Sequence, residues 1–103
     1  MDESLASCIR ELWAQYRPQE LARIAVIERA AEKGCRVLER ERREAQEEAH
    51  RLAGTLAALG KSTAASGARE LERRFLAGDL SEITPLVRAL RAALEAPPLG
   101  SPP

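Results

Sequence analysis

The chain carries few of the residues from which reactive sites are usually built: one histidine, two cysteines and three aromatic side chains, Trp13, Tyr16 and Phe75. A zinc site wants about four ligands, which Cys8, Cys35 and a single histidine cannot supply, so both cysteines read as reduced, small apolar residues and no metal site is expected. Net charge is missing too, since sixteen Lys and Arg residues offset sixteen Asp and Glu. Without a basic block or interleaved aromatics, nucleic acid is a poor candidate partner, and another protein is the better one. No apolar run approaches the ~18 to 20 residues of a membrane span, and the start Met1-Asp2-Glu3-Ser4 lacks the basic and apolar regions of a signal peptide. A cytoplasmic protein with no membrane contact is expected. There is no Gly-rich phosphate loop and no Walker-type lysine, and a chain of this length supports one modest core with no room for a nucleotide-binding domain.

What is present in quantity is Ala, Leu, Glu and Arg, the composition of a helical bundle, and no strands are expected. Asp2, Glu3 and Ser4 offer capping groups ahead of a first helical segment with the face Leu5, Ile9, Leu12 and Trp13. That segment is expected to stop near Arg17, because Pro18 disfavours helix at the preceding residue and suits the first position of a new one. A second helix then runs from Pro18 to Lys33, burying Leu21, Ile24, Ile27 and Ala31, and Gly34 ends it. The charged stretch that follows has opposite charges at helical spacing and predicts a long helix from about Arg36 to Leu59, mostly a solvated face. Gly60 closes it. Ser62 or Thr63 caps the next helix, whose inner face is Ala64, Ala68, Leu71 and Phe75, with Gly78 as its stop. A last helix starts between Ser81 and Thr84 and buries Leu86, Val87, Leu90 and Leu94. Short loops predict antiparallel neighbours: an all-α, up-down four-helix bundle over residues 1–95 with an additional N-terminal helical segment. The Pro-rich residues 96–103 read as a tail or interdomain linker.

His50 is the candidate reactive group. Ala45, Ala49, Leu52, Leu56 and Leu59 cluster on one face of its helix, and stepping about 100° per residue places His50 roughly 140° from the centre of that face, toward water or a partner. Ala53, Gly54 and Ala57 surround it with almost no side chains. A mid-helix glycine costs roughly 0.5 to 1 kcal/mol relative to alanine, and close access to the imidazole is a reason to keep Gly54. The small run Ala64-Ala65-Ser66-Gly67-Ala68 on the next helix permits close packing against the His50 helix.

His50, Leu52 and Gly54, the small stretch to Leu59-Gly60, and a second helix reaching Leu71-Glu72 together resemble the histidine phosphotransfer (HPt) domain of bacterial phosphorelays. By motif the resemblance covers roughly residues 39 to 78, and the start from Glu11-Leu12-Trp13 to Glu28 is similar to HPt domains at the N-terminus of multidomain response regulators. It implies a phosphocarrier and not a kinase: His50 would accept a phosphoryl group at Nε2 from a receiver-domain aspartyl phosphate and pass it on. The receiver, in cis or in trans, would supply Mg²⁺, the chain needing no cofactor of its own; a hybrid histidine kinase is a further partner, and the chain itself is expected to be a monomer. Receiver docking would fall to Arg43, Glu47, Ala53, Gly54, Ala57, Lys61 and Gly67. The family commonly has lysine three residues after the histidine, where this chain has Ala53; Arg51, Arg43 or Lys61 are the available substitutes. Gln46, at i minus 4, is placed to orient the ring through Nδ1, with Glu47 and Glu70 as weaker candidates.

Two other classes stay open. A non-catalytic helical adaptor would bind its partner regardless of His50, and a dimerisation module would pack the Gly54 and alanine patch against its own copy. An enzyme acting alone ranks last, since no positioned Asp, Ser or Cys partner completes a triad with His50.

Overall fold

The apolar stripes become the facing surfaces of four helices, α1 (Glu3–Lys33), α2 (Glu39–Ala58), α3 (Ser62–Ala77) and α4 (Ile83–Glu95), in a computed structural model that describes residues 3–96. Each helix packs on its neighbours in sequence, and α4 closes the ring against α1. Cross-helix contacts give the directions. Arg23 lies 3.5 Å from Glu48 while Lys33 pairs with Glu41, so α1 and α2 are antiparallel. Arg42 donates to the Phe75 carbonyl and Gln46 to Glu72, so α2 and α3 are too. Arg91 holds Glu28 at 2.5 and 2.6 Å while Arg17 reaches the Glu95 carbonyl, so α4 runs back along α1. The chain is an up-down four-helix bundle.

The break expected at Arg17–Pro18 does not occur. α1 is one helix of 31 residues with Pro18 inside it, so the anticipated N-terminal segment and second helix are a single element. Pro18 has no N–H for the Ala14 carbonyl, a defect worth roughly 3 kcal/mol in a helix interior. Both flanks are anchored to the same body: Trp13 is buried before the proline, and Ile24, Ile27 and Ala30 after it. Burial of large apolar side chains at about 1.5 to 3 kcal/mol each outweighs one lost helical bond, so tertiary packing overrides the local preference.

α1 is also longer than its partners, about 46 Å at 1.5 Å per residue. Trp13 sits level with Lys61 in the α2–α3 turn, and the residues before it overhang the bundle. Leu5 and Leu12, expected on a buried face, are therefore 53% and 42% exposed, and of that first stripe only Trp13 joins the core. Further along, Ala30 takes the core place expected for Ala31, which with Leu21 is only partly buried.

α2 begins at Glu39 and not at Arg36, because Gly34 at φ +55° opens a 3-10 turn (Gly34–Arg36) and Val37 and Leu38 are extended. The Glu41 carboxylate accepts the Leu38 N–H at 3.0 Å, satisfying a donor at the helix start. Gly60, at φ +77°, ends α2 as expected, with Lys61 N–H returning to the Leu56 carbonyl at 2.8 Å. Lys61 precedes α3, and neither Ser62 nor Thr63 acts as its cap. The core joins Ala45, Ala49, Leu52, Ala53 and Leu56 of α2 to Ala65, Ala68, Leu71 and Phe75 of α3 and Ile83, Val87, Leu90 and Leu94 of α4. Ala64 and Leu86, expected inside, are partly buried. Both cysteines are free, and both are exposed. The expected Pro-rich tail, apart from an extended Ala96, and the capping group at Asp2 lie outside the described residues. No described helix is long and apolar enough to cross a membrane.

Two substitutions check this packing. Pro18→Ala should stabilise the protein by about 1 to 3 kcal/mol in urea denaturation, since it restores a helical bond in a continuous α1; a neutral result would indicate a helix that starts afresh at Pro18. Glu20 is fully buried, with Oε2 unpartnered despite the 2.9 Å bond from Arg23 to Oε1. Burial pushes its carboxyl above the ordinary range, more than Arg23 pulls it down. The ionised group therefore opposes folding at neutral pH, and that opposition fades as pH falls through the raised pKa. Glu20→Gln should be more stable than the parent at neutral pH, with the gap closing as pH falls toward about 4, the range of an unperturbed glutamate.

Candidate functional site

α2 and α3 make the most extensive contact of any helix pair, and by the helical period small buried residues fall on their facing sides: Ala49 and Ala53 of α2, Ala65 and Ala68 of α3. Close approach of the two backbones brings their outer edges within reach of each other. His50 stands on that edge with its side chain 72% exposed. Its Nδ1 lies 2.9 Å from Oε2 of Glu72 on α3, and the same oxygen accepts from Gln46 Nε2 at 3.1 Å. A carboxylate offers only acceptors, so this contact places the ring proton on Nδ1 and leaves the Nε2 lone pair free. Among the described residues no hydrogen bond engages Nε2.

The ring is thus oriented by Glu72, a residue that the sequence pattern does not single out. Gln46, expected to hold Nδ1 itself, braces the carboxylate that does so. Glu70 is engaged on its own helix, where Arg73 at 2.5 Å and Arg74 at 3.1 Å hold its carboxyl down at about 2. Glu47 is exposed, and no hydrogen bond joins it to the ring among the described residues. A signal for Glu72 does exist. Reflecting His50 through a turn at Gly60 lands near residue 70, but choosing among Glu70, Glu72 and their neighbours requires the register of two helices that only packing sets.

The docking residues expected around His50 separate into two groups. Arg43, Glu47, Gly54 and Ala57 are exposed on the His50 side of α2, as helical spacing requires. A Cβ built on Gly54 meets nothing within 4 Å, so the surface there is open. Ala53, Lys61 and Gly67 belong elsewhere. Ala53 is 4% exposed, part of the core under α3. Lys61 sits with Nζ 4.6 Å from the Trp13 ring centroid, about 16 Å along α2 from His50 at 1.5 Å per residue; burial and the nearby Arg17 pull its pKa down. Gly67 is turned roughly 140° from Glu72 around α3. It lines a groove of about 480 Å³ toward α4, with Ala64, Leu86, Leu90 and Ala93.

α3 contributes two further residues to the His50 side that no sequence pattern marks. Leu76, one turn beyond Glu72, is 62% exposed and borders a small cleft with Arg42, Arg43, Gln46 and Phe75. Arg69, one turn before Glu72, is exposed. The result is an exposed imidazole on a rigid helix pair, held from behind and flanked by a bare glycine and alanine surface with one apolar side chain. Among the described residues no group of three or more His, Cys, Asp and Glu side chains is placed to hold a metal ion.

No protein-family model, curated protein or solved structure matches the chain. The role of Glu72 is open to direct measurement. In ¹⁵N-detected NMR of the histidine ring in mildly alkaline buffer, the parent should populate chiefly the tautomer protonated at Nδ1, and Glu72→Ala should lose that preference while keeping its helical content. Identical ring spectra in the two proteins would mean that the carboxylate does not orient the imidazole in solution.

Proposed function

We propose that this bundle is an HPt-like phosphocarrier, in which His50 takes a phosphoryl group from the aspartyl phosphate of a receiver domain and hands it to another acceptor. The observation that carries the reading is the 2.9 Å Glu72–His50 contact: an exposed imidazole is held at Nδ1, so Nε2 is the nucleophile. A histidine kept on the surface merely for solubility needs no such partner, and none of the short-range ion pairs on α2 involves it.

The transfer follows from these atoms. The Nε2 lone pair attacks phosphorus, the bond from phosphorus to the aspartyl oxygen breaks, and the carboxylate departs with the bonding electrons. The ring keeps its proton on Nδ1 and becomes a phosphorylated imidazolium, whose positive charge the Glu72 carboxylate offsets through a charge-assisted hydrogen bond. In the reverse direction the same polarised ring is the leaving group. Mg²⁺ that offsets charge on the donor phosphate belongs to the partner's site. The chain supplies position: His50 projects from a helix packed on both sides, and Gly54 and Ala57 let a second protein approach without displacing side chains. A docking face of this kind falls near the low end of transient signalling contacts, about 1,200 Å² or less. Leu76 offers it an apolar anchor, and Arg43 and Glu47 a charged rim that favours fast exchange of partners over tight binding.

The experiment is incubation with a phosphorylated receiver domain, scoring acid-labile label on the chain. Label should appear on the parent and vanish in His50→Gln. Gly54→Arg should lose at least about tenfold in transfer rate, the scale expected when reacting atoms are held out of position, while its thermal unfolding stays close to the parent's because position 54 faces open space. Full transfer to Gly54→Arg would place the docking surface elsewhere; no label on the folded parent from a panel of receivers would favour a non-catalytic adaptor.

A further inference from the structure

A phosphoryl group on His50 brings two negative charges beside the carboxylate of Glu72, so a nearby cation is needed, and the basic residues around the site are mostly engaged. Arg51 is held by Glu48 at 2.9 Å on the side of α2 that faces α1. Arg42 donates to the Phe75 and Leu76 carbonyls. Arg73 is bound to Glu70 at 2.5 Å, and Lys61 lies over Trp13. Arg43 pairs with Glu39 at 3.4 Å and stands about 10.5 Å from His50 along the helix axis. Ala53, in the core, adds no charge.

Arg69 is the exception. It is exposed, and no ion pair or hydrogen bond occupies its guanidinium among the described residues. It precedes Glu72 by three residues, which turns it about 60° around α3 on the same outer edge and moves it about 4.5 Å along the axis. Because α3 runs antiparallel to α2, that displacement brings it abreast of Ala53 and Gly54, one turn beyond His50. The residue between it and the imidazole across the helix pair is Ala53, with Ala57 one turn beyond, each with only a methyl group, while Gly54 lies on the side of His50 away from α3.

We propose that Arg69 is the phosphoryl-binding residue of the site: its guanidinium reaches over the alanine surface between the two helices and neutralises the phosphoryl oxygens on His50 Nε2. The assignment rests on the phosphocarrier reading. Guanidinium suits this role, since its planar fork offers paired N–H donors to two phosphoryl oxygens.

The test uses phosphoramidate, a small donor that needs no docking partner. Nε2 attacks phosphorus, the P–N bond breaks and ammonia leaves, so the chain's own residues can be compared without a receiver. Phosphohistidine is followed by ³¹P NMR on the parent, Arg69→Gln and Arg69→Lys. The glutamine variant keeps an aliphatic stem over the helix pair and should fold like the parent, checked by circular dichroism. It should label about fivefold more slowly, the scale of one exposed charge pair. Its phosphoryl resonance should also titrate at higher pH, because the dianion has lost its cation; Arg69→Lys should recover part of both. Equal rates and equal titration curves for the parent and Arg69→Gln would overturn the role of Arg69 alone. Failure of the folded parent to acquire phosphohistidine would overturn the phosphocarrier reading, and the Arg69 role with it.

Discussion

Alanine sets the distance between α2 and α3, and the site exists only at that distance. Helix axes approach according to the side chains between them. Here the facing positions are Ala49 and Ala53 on α2 and Ala65 and Ala68 on α3, all buried. A glutamate has only a short stem, and the 2.9 Å contact from Glu72 to the His50 ring exists because the backbones are close enough for that stem to span them. The larger side chains that supply most of the burial, Leu52, Leu56, Leu71 and Phe75, lie to the inside of the alanine seam, so stability and close approach are provided by different residues of the same pair.

The other two helices keep that pair in place. α1 and α4 cover its inner face, and the charged contacts between them, Arg91 with Glu28 and Arg17 with the Glu95 carbonyl, lie on the side of the bundle away from His50. Arg91, with two carboxylates around it, holds its proton more firmly than an ordinary guanidinium. These contacts are partly exposed, and their value is in fixing the register of long helices more than in adding stability. Trp13 under Lys61 closes the end at which α2 turns into α3. The site is therefore built on helix surfaces with no loop residue in it, a placement that fixes side-chain geometry more precisely than a loop does.

The His50 side of α2 is legible in the sequence because it is a local property. Arg43, Glu47, His50, Gly54 and Ala57 fall on one side by the helical period alone, and Gly54 marks itself by its cost. Sequence patterns mislead wherever a residue has to be placed relative to another helix. Lys61 and Gly67 are close to His50 in the chain, yet Lys61 lies at the far end of α2 and Gly67 faces α4. Ala53 sits at the border of the buried face, between buried Ala49 and Leu56 on one side and exposed His50 and Ala57 on the other, and it falls inside at 4% exposed. Pro18 carries a strong local preference that the burial of Trp13 and Ile24 on its two sides overrides.

From the residues alone it follows that the chain is helical, that its helices are amphipathic and antiparallel, and that a single histidine stands on the polar side of one of them. Each of those rests on interactions within a few residues, where the period of the helix and the conformational limits of glycine leave little choice. Packing selects the rest: which carboxylate meets the imidazole, which arginine on the outer edge of α3 is left without an ion pair among the described residues, and which small residues are core and which are open surface. Those depend on the register and rotation of one helix against another, set by the summed packing of many side chains distant in sequence, so no local pattern encodes them.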